Sequence, residues 1–559
     1  MTKKLLFFLP IMALTAFLQI AAQNTVGLLS YDMTKAFDGY NLIYPHNQSN
    51  VYLIDNCGEI AHVWQDDANW RPGNTVYLTA EGLLYKSKRD VAVAGDPIWA
   101  GGGGAILEIR DWDNNLLWDF EMNDSINRLH HDFTITDKGT ILAIAWELKT
   151  AEECVAAGRD TSTLAQGKLW PDWILEIDPD LDSIIWEWHV WDHLIQNFDD
   201  TKPNFGENAS FPSLVDVNYG RPNGHPDWMH SNSIDYNPIL KQILLSVPTF
   251  DEIWIIDHTT TTAQAAGSFG GFSNMGGDLM YRWGNPRAYG RGDSTDQKLF
   301  FQHDAHWIDD FVDFSHPHYG KIGIFNNRVG TDYSSVGALI PPWDMYGWLY
   351  EMNNQVFLPA NLEFTLTHPD TTSLWSTGMS SVQWLPNGNS LIISGRSGYA
   401  FELTPDNEVV WEYKTPLRNG IPVTQGDTLV INNNPTFRMK RYPADFAGFE
   451  GKDLSGKVWI ELSPDTLFCE QITSSISPMN EKAFKVYPNP VSDMLTIEWD
   501  GMVYAHIEIY NMAGHRLAQF NSSGGRKYLD VSHFQDGVYF VTIMTDQARY
   551  SRKVILQHE

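Results

Sequence analysis

The sequence predicts an all-β fold, a six-bladed β-propeller followed by a small C-terminal β-sandwich. Three observations predict it. Aromatic residues make up 13% of the 559, with 22 Trp, and 43 Gly and 28 Pro supply the turns that many short strands need. Between residues 24 and 480 a strand, an Asp/Asn/Gly turn and a second strand ending in Trp or another large apolar residue recur. From about Glu481 the chain changes to short alternating strands separated by Asn-Pro, Asp-Gly and Gly-Gly turns.

The elements follow in chain order. Residues 1–23 carry Lys3 and Lys4, an apolar run from Leu5 to Phe17 and small residues around Ala22, the pattern of a cleaved secretory signal peptide and too short for a spanning helix. The propeller is expected over 24–475. Its clearest hairpins are YLIDNCGEIAHVW (52–64), ILEIRDWDNNLLWDF (106–120), ILEIDPDLDSIIWEW (174–188) and AFELTPDNEVVWEY (400–413). EIWIIDHTT (252–260) and WLYEMNNQVFLPANLEF (348–364) are weaker copies. Shorter hairpins such as TITDKGTILAIA, YNPILKQILLSV and WLPNGNSLIISG complete four-stranded units. VWIEL (458–462) is expected to close the ring with the N-terminal strands, and inserts at 188–224, 260–300 and 328–346 supply loops on one face. The sandwich is expected over 482–559. Of three cysteines, Cys57 and Cys469 are the favoured disulfide because both lie where first and last units would meet.

Charge bounds the function. The 38 Lys+Arg against 69 Asp+Glu leave a net −31, a surface that repels a phosphate backbone and argues against nucleic-acid binding. With 43% hydrophobic and only 19% charged residues, disorder is also disfavoured. Histidine is the informative residue, since it serves as base, nucleophile or metal ligand near neutrality. RLHHDFTI (128–135), DWMHSNSI (227–234) and FQHDAHWI (301–308) place His131, His230 and His303, with His306 nearby, at one position of three successive units. Such residues converge where inner strands meet. Arg282, Arg287, Arg328, Arg396 and Arg438 lie at strand ends beside them, and Asn232 follows His230. Guanidinium forks bind tetrahedral oxyanions, so Arg328, Arg282, Arg396 and Asn232 are the candidate substrate-binding residues.

The stretches HPDWMHSNSIDYNPILKQILLSVPTFDEIWIIDHTT (225–260) and DLMYRWGNPRAYGRGDSTDQKLFFQHDAHWI (278–308) resemble the bacterial arylsulfate sulfotransferase family. LHHDF, SSVQWLPNGNSLI and FRMKRYPADFAGFEGKDLS fit its wider pattern, so the resemblance covers about 25–465. It implies a six-bladed propeller that moves a sulfuryl group from an aryl sulfate donor to a phenol acceptor through a sulfohistidine, without a nucleotide donor, cofactor or metal. His230 and His303 match family active-site histidines, and Arg328 matches its sulfate-binding arginine. The family's nucleophilic histidine lies in a later unit, where this chain reads STGMSSVQW, and the nearest histidine is His368. YPNPVSDMLTI, IYNMAGHRL, LDVSHFQDGVYFV and KVIL resemble the C-terminal sorting domain of type IX secretion cargo, which implies that machinery as a partner, export through periplasm and outer membrane, and a secreted or surface location. Two rival readings stand beside the enzyme. One is a non-catalytic propeller binding an anionic glycan or aryl ligand; the other is a metal-dependent enzyme using Asp132, Asp304 and Asp309 with the histidines.

Overall fold

The structure is a computed structural model that describes residues 24–91, 95–221, 223–344, 349–456, 458–466, 469, 484–499, 504–511, 516–523, 525–544 and 549–558. The expected signal peptide, residues 1–23, lies outside the described residues. The chain divides into two compact units, one ending at Asp465 and one running from Thr466 to Glu559.

Six antiparallel sheets of four or five strands build the first unit among its described residues. Four use strands close in sequence, beginning with Trp70–Leu78, Asn127–Ile135, Ser233–Asn237 and His303–Trp307. The other two join the ends of the unit. Thr436–Pro443 pairs with Gly39–Pro45, Tyr442 opposite Tyr40, and Gly27–Tyr31 pairs with Val409–Lys414. The closing strand is therefore FRMKRYP, not the expected VWIEL. Residues 458–462 reach only the far edge of the same sheet, through a bridge of Trp459 to Glu59 and the Val458 carbonyl accepting from the Ile60 N–H at 2.8 Å. A second expectation also shifts. The sheet of His303–Trp307 takes Ser335–Leu339 and Phe364–Leu366 as outer strands. Residues 349–357 form short ladders instead, because Tyr350 and Phe357 are drawn onto the buried ring of Tyr281 in the preceding sheet.

The tryptophans that end the hairpins bind one sheet to the next. Trp64, Trp188 and Trp411 are fully buried, and their indole N–H groups donate to Asp111 O (3.1 Å), Gly277 O (2.7 Å) and Asn56 O (2.8 Å). A buried indole needs such an acceptor, so each ring both fills the space between sheets and fixes their spacing. The first strands lie side by side in the order Trp70–Leu78, Asn127–Ile135, Ser233–Asn237, His303–Trp307, Ser381–Trp384, Thr436–Pro443, and the last contacts the first. On or beside them sit left-handed residues that are not glycine: Asn74, His131, His230, Asp304 and Met379, with φ of 109°, 52°, 57°, 56° and 65°. Such φ values cost free energy in residues with a Cβ and gather at functional sites.

In the second unit, Phe484–Tyr487, Met494–Trp499 and Arg526–Asp530 form one sheet and Arg516–Ser523, Tyr504–Asn511, Gly537–Met544 and Arg549–Leu556 another. Leu495, Ile497, Ile507, Ile509, Val541 and Val554 share one core between them. Cys154, in the first unit, is a buried free thiol.

Candidate active site

Successive residues along the first strands open into two different cavities. His131, His230 and His303, with Arg328 and Arg396, line one of about 490 Å³. Five of the residues expected at the site therefore share one space. Two further arginines, Arg89 and Arg221, line it as well, and Asp227 is its single carboxylate. A locally basic cavity thus exists on a strongly acidic chain, and low-dielectric walls concentrate its field.

Each histidine is held differently. His230 Nδ1 lies 2.6 Å from Asp227 Oδ2, which also accepts from Arg221 at 3.0 Å. The carboxylate fixes the ring and leaves Nε2 on the cavity side. His131 is turned by its left-handed backbone so that its ring packs edge to face on His230, centroids 4.4 Å apart. Its Nδ1 meets Nδ1 of His130 at 2.9 Å, and its Nε2 edge passes over Gly102, where a Cβ would come within about 2.1 Å of that nitrogen. Gly102 is therefore required at this close approach. Burial first, then His230 and His130, holds the His131 pKa well below the ordinary 6.5, so its ring is neutral. In His303 both nitrogens are engaged: Nδ1 with Asn327 Oδ1 at 2.8 Å, and Nε2 as acceptor of the Met379 N–H at 2.9 Å. Burial lowers its pKa to about 3. His303 is thus a strut of the wall, with no lone pair left for chemistry in this arrangement.

The arginines present guanidinium edges to the same space. Arg328 stacks 3.7 Å over the Phe301 ring and donates through Nε to Thr377 O at 2.9 Å. Arg396 donates to Asn432 Oδ1 at 3.1 Å, and its Nε is buried without a partner. Arg89 lies over Trp99, also on the wall, at 4.9 Å. Burial, with repulsion from Arg396 and Arg221, lowers the Arg328 pKa, as expected of cations crowded before an anion arrives.

The other candidates stand elsewhere. Arg282 is fully buried between sheets, its Nε 3.0 Å from Glu252 and its NH1 on Leu214 O at 2.9 Å, so it is a structural ion pair and not a substrate ligand. Asn232 is fully buried and donates to Gln302 O at 2.8 Å between two sheets, away from the cavity. His306 follows the register shift after His303 and lines the opposite cavity, its Nδ1 2.8 Å from Asp304 O. His368 packs on Tyr399 and Phe401 and does not stand in for the missing late histidine. At STGMSS the cavity wall is Met379, whose N–H meets His303. Asp132 and Asp304 are both paired with Arg438, at 2.7 and 2.8 Å. Among the described residues no group of three His, Cys, Asp or Glu side chains is arranged to hold a metal ion. Arg89, Arg221, Asp227, His130 and Trp99 were not singled out from the sequence.

Fold and site define an all-β protein whose first strands wall a histidine- and arginine-lined cavity suited to an oxyanion. In sequence, residues 91–416, more than half of the chain, match the family model described as Arylsulfotransferase (ASST), and the chain belongs to that family. Residues 485–557 match the secretion system C-terminal sorting domain and form the type IX sorting domain of this chain. No curated protein matches the sequence. Among solved structures, a protein of unknown function from Bacteroides caccae is similar at 10% identity, with 73% of this chain and 99% of that one covered and a TM-score of 0.38. A catalytically inactive virginiamycin B lyase from Staphylococcus aureus is similar at 10% identity over 67% and 85% of the chains, TM-score 0.29. PorZ, a surface component of the type IX secretion system of Porphyromonas gingivalis, is similar at 10% identity over 91% and 68%, TM-score 0.24.

Proposed function

We propose that this chain is an exported arylsulfotransferase, with the six sheets as propeller blades over 24–475, a sorting sandwich over 482–559 and a leader at 1–23. It moves a sulfuryl group from an aryl sulfate ester to a phenol in two half-reactions through a histidine. The observation that carries the reading is the convergence of His131 and His230, each with Nε2 unengaged, on a cavity with four arginines. Sulfuryl transfer spreads negative charge over equatorial oxygens, and fixed guanidinium groups stabilise that charge without reorganisation. Arg328 and Arg396 hold the sulfate oxygens. Phe301 and Trp99, already stacked on arginines, offer apolar faces to the aryl ring. His230, oriented by Asp227, protonates the departing phenolate and later accepts the proton of the incoming phenol. The sorting domain supports export by the type IX system to the surface or beyond, and no helix among the described residues is long and apolar enough to cross a membrane.

The test is incubation with a chromogenic aryl sulfate and a phenol acceptor. Wild type transfers sulfate, and His230→Ala does not. Tight binding of the aryl sulfate without turnover would replace the enzyme by an anion-binding propeller, a reading favoured by Met379 where the family's late histidine is expected.

A further inference from the structure

We propose that His131 is the residue that becomes sulfated, and that His130 and Asp172 form a relay behind it that sets its tautomer and takes its proton. The proposal rests on the arylsulfotransferase reading and supplies the nucleophile that the substitution of Met379 leaves unassigned.

His130 stands between His131 and Asp172. His131 Nδ1 and His130 Nδ1 are 2.9 Å apart, so one of them must carry the proton. On the other side of the same ring, His130 Nε2 lies at an ion-pair distance of 3.4 Å from Asp172 Oδ1, and neither atom makes a hydrogen bond. Asp172 Oδ2 accepts from the Ser231 N–H at 2.8 Å, which anchors the carboxylate. His130 is stacked flat on Trp146, centroids 4.1 Å apart, so it cannot swing away. All three groups are buried. A carboxylate facing Nε2 favours the proton there, which makes His130 Nδ1 the acceptor. His131 must then hold its proton on Nδ1, and its Nε2 lone pair faces the cavity. Five histidines line the cavity, and of the three at equivalent places in successive units His303 has both nitrogens engaged and His230 is paired with a carboxylate suited to an acid/base role. His131 alone combines a neutral ring, an open Nε2 and a proton sink behind it.

The step balances. The Nε2 lone pair of His131 attacks sulfur; the N–S bond forms as the S–O bond to the aryl oxygen breaks, and the phenolate takes a proton from His230. Sulfation would leave His131 a cation, so its Nδ1 proton passes to His130 Nδ1, giving an imidazolium held against Asp172. In the second half the acceptor phenol loses its proton to His230, its oxygen attacks sulfur, the N–S bond breaks and the relay proton returns to His131.

The experiment mixes wild type with an aryl sulfate in the absence of acceptor, quenches at alkaline pH, digests, and locates the sulfuryl mass by tandem mass spectrometry. The label is expected on His131, and His131→Ala loses it. His130→Phe keeps a ring on Trp146 but no nitrogen; with Asp172→Asn it should slow labelling on the order of 100-fold. Affinity for an unreactive aryl sulfonate should change by less than about twofold in both, which separates a lost relay from a lost fold. A solvent deuterium isotope effect on labelling should be smaller in His130→Phe than in wild type, because only the proton from His230 then moves in the step. Label on His230 or His303, or labelling as fast in both relay variants as in wild type, would overturn the proposal while leaving the transferase reading intact. Absence of any sulfate transfer by wild type would remove the reading beneath it.

Discussion

The two cavities of the first unit share their strands and oppose each other in charge. His131 and Asp132 are neighbours in one strand, His303 and Asp304 in another, Phe437 and Arg438 in a third; the first of each pair lines the basic cavity and the second the other. That second cavity, of about 280 Å³, is lined by Asp132, Asp235, Asp304, Asp309 and Asp310 with Lys440 and Arg438. Left-handed backbone at His131 and Asp304 turns successive side chains to opposite ends of the strand array. Arg438 is the partition, because its guanidinium neutralises Asp132 and Asp304 at once. The net charge of −31 therefore describes the shell and one cavity, while the histidine- and arginine-lined cavity carries the opposite sign.

The comparison breaks most sharply at His230. His230→Ala should lower kcat by about 10²–10⁴-fold, the usual worth of a positioned acid/base, whereas Asp309→Asn in the acidic cavity should leave kcat unchanged; initial rates on an aryl sulfate decide it. Arg438→Met tests the partition. It leaves two buried carboxylates without their cation and should cost about 3–5 kcal/mol in urea unfolding. Arg328→Ala should raise KM by about 10-fold or more, since a charge-assisted hydrogen bond contributes roughly 1.5–3 kcal/mol. Arg282→Met, by contrast, should act on stability with little effect on KM.

The smallest effect is in pH dependence, and it has opposite signs in the two cavities. His303 is held at about 3 in the folded chain against an ordinary 6.5. As pH falls below 6.5 the unfolded chain binds a proton that the folded chain refuses, so this group removes about 1.4 kcal/mol of stability per pH unit down to its folded pKa. Asp235, raised by burial and then by Asp309, holds its proton more tightly folded than unfolded, so its contribution is present at low pH and is lost as pH rises through the folded pKa. Unfolding midpoints measured from pH 4 to 7 should flatten on the acid side in His303→Gln and on the alkaline side in Asp235→Asn.

Much of this was legible in the sequence because it is local. Hairpins with a turn and a terminal tryptophan announce their own strands, and His131, His230 and His303 occupy one place in successive units, so their convergence follows from repetition. What was not legible depends on which way a side chain turns and on loops that meet only after folding. Arg282 lies in the middle of the strand Tyr281–Trp283, not after a strand as Arg328 does, and its side chain points between sheets to Glu252. His306, three residues beyond His303, falls past a register shift and into the other cavity. Arg89 and Arg221 come from a second strand and a long insert, and no spacing links them to the histidines. The His130–Asp172 contact reaches across the strand Ile141–Glu147 within one sheet, and the Ser231 N–H from the next unit anchors Asp172, a relation that only the fold creates.

The central claim, that the basic cavity and not its acidic neighbour takes the sulfate ester, is tested most directly by a crystal structure with an unreactive aryl sulfonate bound. The predicted result has the sulfonate oxygens on Arg328 and Arg396 with sulfur in line with His131 Nε2. A sulfonate seated beside Asp235 and His306, or bound outside both cavities, would contradict it.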